Sequence, residues 1–266
     1  MYKVLYNLPE SEYHSLAAIG SSTIKQMAVS PKYFMECIAR QGETNPAFAI
    51  GSMFHEAILE PEKDPSFIAA PEVDRRTKEG KAAYAEFQEN CNGKEVIKKE
   101  DFENCKAMIA TFKDTGAYDR TFKGGAKTEV SIIGPDKKCR FDLLKEKPTG
   151  FIAYDLKTTA DIPRDASAWQ RFFIKSGYHI QSAWYQDVAK EAGINILAFH
   201  FAVISKKYPY EHAVVTLDDE FLEYGREQAN RSYELLKECQ KTGIWPGVFE
   251  MSGAGSQVIE KPRWLK

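Results

Sequence analysis

Apolar and polar residues alternate through residues 127–159 in a pattern that predicts three short β-strands. The strands cover residues 128–133, 139–144 and 151–157. The segments between them, residues 134–137 and 147–150, contain the glycine and proline residues typical of tight turns. We therefore expect three neighbouring strands, paired in the order in which they occur in the chain.

Helical patterns dominate the sequence on both sides of these strands. Pro31, Pro46 and Pro61 mark helix boundaries, because proline begins a helix readily and disfavours helical backbone in the residue before it. Residues 62–71 are predicted as a loop, and the tail beyond Trp245 as an irregular extension. The predicted helices are 21–29, 32–40, 46–59, 78–91, 100–111, 168–175, 178–191 and 218–241, and two further strands are 195–205 and 212–217.

This order of elements predicts an α/β fold, in which helices flank a central mixed β-sheet. The chain has 266 residues, of which 43% are hydrophobic and 28% charged, which suits one domain with a sizeable core. Within that domain we expect a mostly helical part over residues 1–125, a sheet and helix over 126–217, and a helix and tail over 218–266.

Composition indicates where the protein is located more clearly than what it does. The five cysteines are widely spaced without a Cys-x-x-Cys pair, which favours reduced thiols over a disulfide framework or a zinc site. The first residues lack a secretory pattern, and no apolar run approaches the roughly 18 residues of a membrane span. We therefore expect a cytoplasmic protein without membrane contact. The net charge of −2 neither indicates nor excludes nucleic-acid binding, which depends on a local basic surface.

Three acids and a lysine are expected on one face of the predicted strands. Asp155 and Lys157 are two residues apart and therefore point to the same side, while Leu156 points into the core. Turns centred on residues 135–136 and 148–149 would place Glu129 opposite Asp142, and Asp142 opposite Asp155. Such a row of carboxylates is costly unless a cation neutralises it, and Mg²⁺ prefers oxygen ligands of this kind.

Two helices could add to this row. His55 shares a helical stripe with Gly51, and Gln181 lies on the same face of its helix as Tyr185, four residues later. A single histidine in a helix is either a hydrogen-bonded structural residue or a metal ligand. Gln181 and Tyr185 are either available to a ligand or without a task, and spacing does not decide between these alternatives.

Paired carboxylates with a lysine suit the hydrolysis of a phosphodiester. General acid–base catalysis contributes about 10²–10⁴-fold, far less than this reaction requires, so a metal ion must supply much of the remainder. In this interpretation Asp142 and Asp155 hold one or two Mg²⁺ ions, and Lys157 orients or deprotonates the attacking water or stabilises developing charge.

Arg140-Phe141-Asp142, followed after twelve residues by Asp155-Leu156-Lys157, resembles the signature of the PD-(D/E)XK nucleases. Phe141 stands where the signature has proline. The accessory motifs resemble those of the RecB-like branch, and the whole pattern from about residue 21 to residue 264 resembles the nuclease domain of exonuclease VIII (RecE) and its phage relatives. The stretches that carry this resemblance are Ser22–Lys25, Ser30–Tyr33, Gly51–Glu56, Asp155–Thr159, Gly177–Gln181, Tyr185 and Pro262–Trp264.

The resemblance implies a role for each matching residue. His55, Asp142 and Asp155 would be metal ligands, and the carbonyl oxygen of Leu156 a further one. The metal would be Mg²⁺, with Mn²⁺ able to replace it. The remaining roles would be those of Lys157 as catalytic lysine, Gln181 and Tyr185 as residues that position DNA or the active-site network, and Glu129 as an outer or second-metal acid.

By the same resemblance, the reaction would be 5′-to-3′ degradation of one strand from a double-stranded DNA end. The product would be a 3′ tail for an annealing protein of the RecT type, and the enzyme would be a ring-shaped homo-oligomer around DNA. Three alternatives stay open: another RecB-like nuclease of the CRISPR-adaptation or single-strand-specific type, a catalytically idle DNA-binding scaffold, and a hydrolase of a smaller phosphodiester.

Overall fold

A computed structural model of the chain describes residues 1–40, 46–122 and 124–253. Its main sheet has six strands in the order β1-β4-β5-β6-β7-β8. The strands are β1 (Lys3–Leu5), β2 (Phe67–Ala69), β3 (Glu95–Ile97), β4 (Ala126–Ile133), β5 (Lys138–Lys147), β6 (Gly150–Thr159), β7 (Ile196–Ser205) and β8 (His212–Thr216). The helices are α1 (Glu10–Ser15), α2 (Ser21–Val29), α3 (Pro31–Ala39), α4 (Pro46–Leu59), α5 (Lys78–Glu89), α6 (Lys99–Lys113), α7 (Gly116–Phe122), α8 (Ala166–Ser176), α9 (Tyr178–Glu191), α10 (Asp219–Thr242) and α11 (Val248–Ser252).

The predicted mixed sheet flanked by helices is confirmed. β4, β5 and β6 are consecutive antiparallel neighbours, joined by the two predicted turns. β6 and β7 are parallel, and the connection between them contains α8 and α9, as a parallel crossover requires. The antiparallel strand β8 completes that edge.

Two apolar layers enclose the sheet. One contains Ile180 and Trp184 of α9 against strand residues such as Phe141 and Phe201. The other contains Phe54 of α4 with Met108 and Phe112 of α6. Leu156 joins this second layer, so the predicted inward orientation of its side chain is confirmed. Because both faces are covered, the strands in the middle of the sheet are buried on both sides.

Several short elements lie outside the sequence prediction. β1 pairs with β4, and β2 pairs with β3 in a separate two-stranded parallel sheet. The prediction of a continuous loop over residues 62–71 is therefore wrong, since Phe67–Ala69 is a strand. A three-residue strand is too short to show alternation, and its partner lies far away in the sequence. The tail beyond Trp245, predicted as an irregular extension, contains the short helix α11, which begins after Gly247, whose N–H donates to the Glu250 carboxylate, so the prediction is wrong there. Residues 41–45 and the part of this tail beyond Gly253, with the Pro262–Trp264 stretch of the resemblance, lie outside the described residues. Within the described ranges, no helix is long and apolar enough to cross a membrane.

A glycine allows α9 and α10 to pack closely. A Cβ atom at Gly225 of α10 would lie 2.3 Å from the carbonyl oxygen of His179 in α9. We expect Gly225→Ala to lower the free energy of unfolding by about 1–3 kcal/mol, because the two backbones must separate. Urea denaturation of this variant beside Glu227→Ala, an exposed position of α10, measures the effect. Equal stability of the two variants would show that this close approach is unimportant.

Candidate active site

β5 and β6 form the centre of the site, at the point where their pairing ends. Their ladder runs from Lys147 opposite Gly150 to Leu143 opposite Tyr154. One residue further, the carboxylate of Asp142 accepts a hydrogen bond of 2.6 Å from the backbone N–H of Leu156. The same register places Asp142 across from Asp155, as the turns predict. The diverging strands thus open a gap in which both carboxylates lie.

Asp155 is buried at this gap between a lysine and a glutamine. Its side chain is 2% exposed, and the Lys157 ammonium contacts its Oδ2 atom. Gln181 of α9 donates a hydrogen bond of 2.5 Å from Nε2 to Asp155 Oδ1. Because side chains alternate along β6, Asp155 and Lys157 point to the same side. Gln181 lies on the buried face of α9 and reaches Asp155 from there.

Burial and charge act against each other in this pair. Burial raises the pKa of Asp155 above its ordinary value, and the neighbouring Lys157 counteracts part of that change. Burial alone would lower the pKa of Lys157, but the carboxylates of Asp155 and Asp142 outweigh it and raise this pKa. Lys157 is therefore held in its charged form.

His55 approaches the carboxylates from α4. Its Nδ1 atom lies 3.8 Å from Asp142 Oδ2, and both side chains are partly buried. Gly51, one turn earlier, lies against β6, where an added Cβ would be 3.4 Å from Thr158 Oγ1. The small residue therefore allows α4 to pack close enough to β6 for the imidazole to reach Asp142. Glu56 is held elsewhere, since it accepts a hydrogen bond of 2.7 Å from the N–H of Ser66.

Glu129 of β4 faces Arg140 at the same edge. The pairs Thr128–Leu143 and Val130–Phe141 bracket it, so its register position is opposite Asp142, as predicted. Its backbone has a φ of 53°, and its carboxylate is ion-paired with the Arg140 guanidinium. Burial, with a contribution from Asp142, raises the pKa of Glu129 to about 7 despite Arg140.

This raised pKa predicts a pH dependence of stability. Protonated Glu129 is favoured in the folded state, so its contribution is complete below about pH 4.5 and is lost as the pH rises through about 7. In metal-free buffer, the free energy of unfolding of the wild type relative to Glu129→Gln should fall by about 1–3 kcal/mol over that interval. Urea titrations at several pH values measure the difference. Glu146→Gln, at an exposed position of β5, is the control, and a pH-independent difference for Glu129→Gln would contradict the assignment.

Most of these residues line one large cavity of about 1360 Å³, while Asp155 and Gln181 lie outside its lining. Its walls come from α2, α4 and the strands, and its lining mixes polar and apolar groups. Tyr185 lies at the wall with its ring 5.3 Å from that of Phe141, and burial raises the pKa of its hydroxyl well above the ordinary value. The predicted site residues on the cavity wall are His55, Glu129, Asp142, Leu156, Lys157 and Tyr185.

Comparison with known proteins shows the family of the chain and a solved structure of similar fold. Residues 20–254 match a protein family described as a PDDEXK-like domain of unknown function (DUF3799). The chain belongs to this PDDEXK-like family. No curated protein matches it significantly. Five chains of solved structures do match. One is the crystal structure of a protein from Eubacterium rectale named "putative exonuclease", with a TM-score of 0.61, 14% sequence identity, and coverage of 97% of this chain and 96% of that chain.

The side chains of the PDDEXK-like site are of the types that bind divalent metal ions, but they do not surround one position completely. In the described residues, no three His, Cys, Asp or Glu side chains are gathered as a metal site. Asp155 Oδ2 is nevertheless buried at the site, where its charged partner is the Lys157 ammonium. A buried oxygen of this kind, with the Asp142 carboxylate one strand away, fits a hard cation. The ligand role of the Leu156 carbonyl oxygen stays a prediction.

Lys25 of α2 is a neighbour of the site that spacing alone does not reveal. Its ammonium lies 5.5 Å from the centre of the Tyr178 ring, and that of Lys157 lies 5.1 Å from the centre of the same ring. Burial, followed by the charge of Lys157, lowers the pKa of Lys25 to about 8. The sequence pattern predicts the helix that carries Lys25, but a lysine in such a helix has no distinctive spacing that would assign it to the site.

Proposed function

We propose that the chain is a metal-dependent nuclease that hydrolyses phosphodiester bonds of DNA. One observation carries this proposal: Asp142, Asp155 and Lys157 converge where β5 and β6 diverge, beside a cavity large enough for a polymer backbone. A buried carboxylate and ammonium are costly to maintain, which favours a catalytic use over an idle scaffold. Membership in the PDDEXK-like family and the fold shared with the Eubacterium rectale protein support the same class of reaction.

Asp142 and Asp155 would hold Mg²⁺, for which Mn²⁺ can substitute, with His55 and the Leu156 carbonyl oxygen as further ligands. Bound Mg²⁺ would lower the pKa of a coordinated water and neutralise charge on the scissile phosphate. Gln181 holds Asp155 Oδ1 in place through its 2.5 Å hydrogen bond. The N–H of Leu156 fixes Asp142 in the same way, so both carboxylates are oriented before a ligand arrives.

Lys157 is better suited to stabilise charge than to remove a proton. Its pKa is raised by Asp155 and Asp142, so the ammonium stays protonated at neutral pH. We therefore assign it to stabilisation of the negative charge that develops on the phosphoryl oxygens and to orientation of the attacking water. Tyr185 and Glu129 would shape the wall beside it, Glu129 through its ion pair with Arg140.

For the substrate we propose linear double-stranded DNA, degraded from its 5′ end to leave a 3′ single-stranded tail. The motif order that resembles exonuclease VIII supports this polarity. By the same resemblance, the tail would pass to an annealing protein of the RecT type, and the enzyme would act as a homo-oligomeric ring. A ring would also concentrate the lysines of a chain with a net charge of −2 around the DNA.

Linear duplex carrying a label at either the 5′ or the 3′ end of one strand tests the substrate and polarity. With Mg²⁺, the 5′ label should be released early as mononucleotide, while the 3′ label stays on a shortening strand. Early release of the 3′ label would contradict the polarity. Degradation of single-stranded DNA with sparing of duplex would favour the single-strand-specific alternative.

A further inference from the structure

The turn between β7 and β8 exposes an aromatic ring on a firmly attached support. Tyr208 is 85% exposed. Its ring therefore lacks the stabilisation that aromatic side chains gain from burial. Its neighbour Tyr210 is 7% exposed and belongs to the apolar layer around α4 and α6. The two rings meet edge to face, with centroids 6.0 Å apart and planes at 84°.

Hydrogen bonds fix both ends of this turn. Ser205 and Glu211 are joined by a backbone hydrogen bond of 2.8 Å, and Tyr210 donates its N–H to the Lys207 carbonyl at 2.8 Å. Asn104 of α6 accepts from the Tyr210 hydroxyl at 2.5 Å and donates to the Lys206 carbonyl at 3.1 Å. The backbone that carries the exposed ring is thus fixed on both sides of Tyr208, which lowers the entropic cost of ordering the turn when a ligand binds.

The turn adjoins the candidate active site. The N–H of Lys206 donates to the carbonyl of Thr159 at 2.7 Å, and Thr159 is two residues beyond Lys157 on β6. Lys206 lines the large cavity, and Tyr208 follows two residues later, within about 7 Å of chain. Lys207 is paired with Asp161 at 3.0 Å, an exposed contact weak enough to yield to a phosphate group.

We propose that Tyr208 is a stacking platform for an unpaired nucleobase of the DNA strand that leaves or enters the cavity. This inference rests on the proposed nuclease function and adds a binding subsite outside the catalytic residues. An aromatic ring with lysines beside it matches a single strand, since the ring faces a base while the ammonium groups face the phosphates. Stacking is independent of base identity, as a nuclease that acts on any sequence requires.

Binding measurements with two DNA probes test this subsite. One probe is a duplex with a single-stranded tail of about ten nucleotides that contains 2-aminopurine. This length is within the range that proteins binding single-stranded DNA contact. The other is a duplex of equal length closed by hairpins. The Asp155→Asn background with Mg²⁺ keeps the DNA intact, and Tyr208→Ala, Tyr208→Trp and Tyr33→Ala are compared in it. Tyr33 is a partly exposed tyrosine, at 47%, outside the cavity lining.

We expect Tyr208→Ala to weaken binding of the tailed probe about 5- to 100-fold and to abolish part of the 2-aminopurine quenching. Tyr208→Trp and Tyr33→Ala should bind as the parent does. Equal binding of the tailed probe by parent and Tyr208→Ala would overturn the inference and would favour a protein partner as the ligand of the ring. An equal loss on both probes would also overturn it. If the parent binds neither probe, the proposed function itself fails and this inference with it.

Discussion

Asp155→Asn is expected to lower DNA cleavage by on the order of 10³-fold or more, while the protein remains folded. Asp155 is the most deeply buried acid of the site, and its Oδ2 atom faces the Lys157 ammonium. An asparagine keeps the shape and the contact with Gln181, but it removes the negative charge that would hold a divalent cation. Cleavage of a labelled linear duplex at several Mg²⁺ concentrations measures the loss.

Asp218→Asn is the matched control for this change. Asp218 is the N-cap of α10 and accepts a hydrogen bond of 2.8 Å from the N–H of Phe221, a role that asparagine fills equally well. Thermal unfolding of both variants shows whether the fold is retained. Full cleavage activity in folded Asp155→Asn would exclude Asp155 as a metal ligand.

Lys157→Met should lower cleavage by about 10²–10⁴-fold and, at the same time, strengthen the response to metal. The ammonium lies against Asp155 Oδ2, the oxygen that would bind a metal ion. Lysine and metal ion would therefore compete for the negative charge of the Asp155 carboxylate. Without the lysine, Asp142 and Asp155 repel each other in the metal-free protein. Added Mg²⁺ or Mn²⁺ should therefore raise the melting temperature of the variant more than that of the wild type.

Thermal unfolding with and without metal measures this second effect independently of DNA. Lys147→Met, at the exposed end of β5, is the control and should respond as the wild type does. If Lys157→Met loses cleavage but its melting temperature rises with metal no more than that of the wild type, the lysine and the metal do not share Asp155. Retained cleavage would exclude Lys157 from catalysis.

The centre of the site could be predicted because its geometry is local. Two tight turns determine the register of β4, β5 and β6, and alternation then places Asp142 and Asp155 across from each other. Ile180 and Trp184 fix the apolar face of α9 and thus the face on which Gln181 lies, whereas spacing left open whether Gln181 has a task. In these cases the residues that decide the arrangement lie close together in the sequence.

Other features depend on contacts between distant segments. β1 reaches β4 from the first residues of the chain, and the pairing of β2 with β3 joins two three-residue strands. The ion pair of Glu129 with Arg140 and the approach of Lys25 to Tyr178 result from side-chain packing after the fold forms. The distance of 3.8 Å between His55 and Asp142 likewise depends on how closely α4 packs against β6. No periodicity in the sequence determines such distances.

DNA hydrolysis with a divalent metal held at Asp142 and Asp155 is the activity that we propose for this PDDEXK-like chain. One assay tests it: the release of acid-soluble nucleotide from uniformly labelled linear duplex, with Mg²⁺ or with EDTA, by the wild type and by Asp155→Asn. We expect release by the wild type in Mg²⁺ and in none of the other reactions. Intact DNA in the wild-type reaction with Mg²⁺, or equal release in EDTA or by the variant, would contradict the proposal.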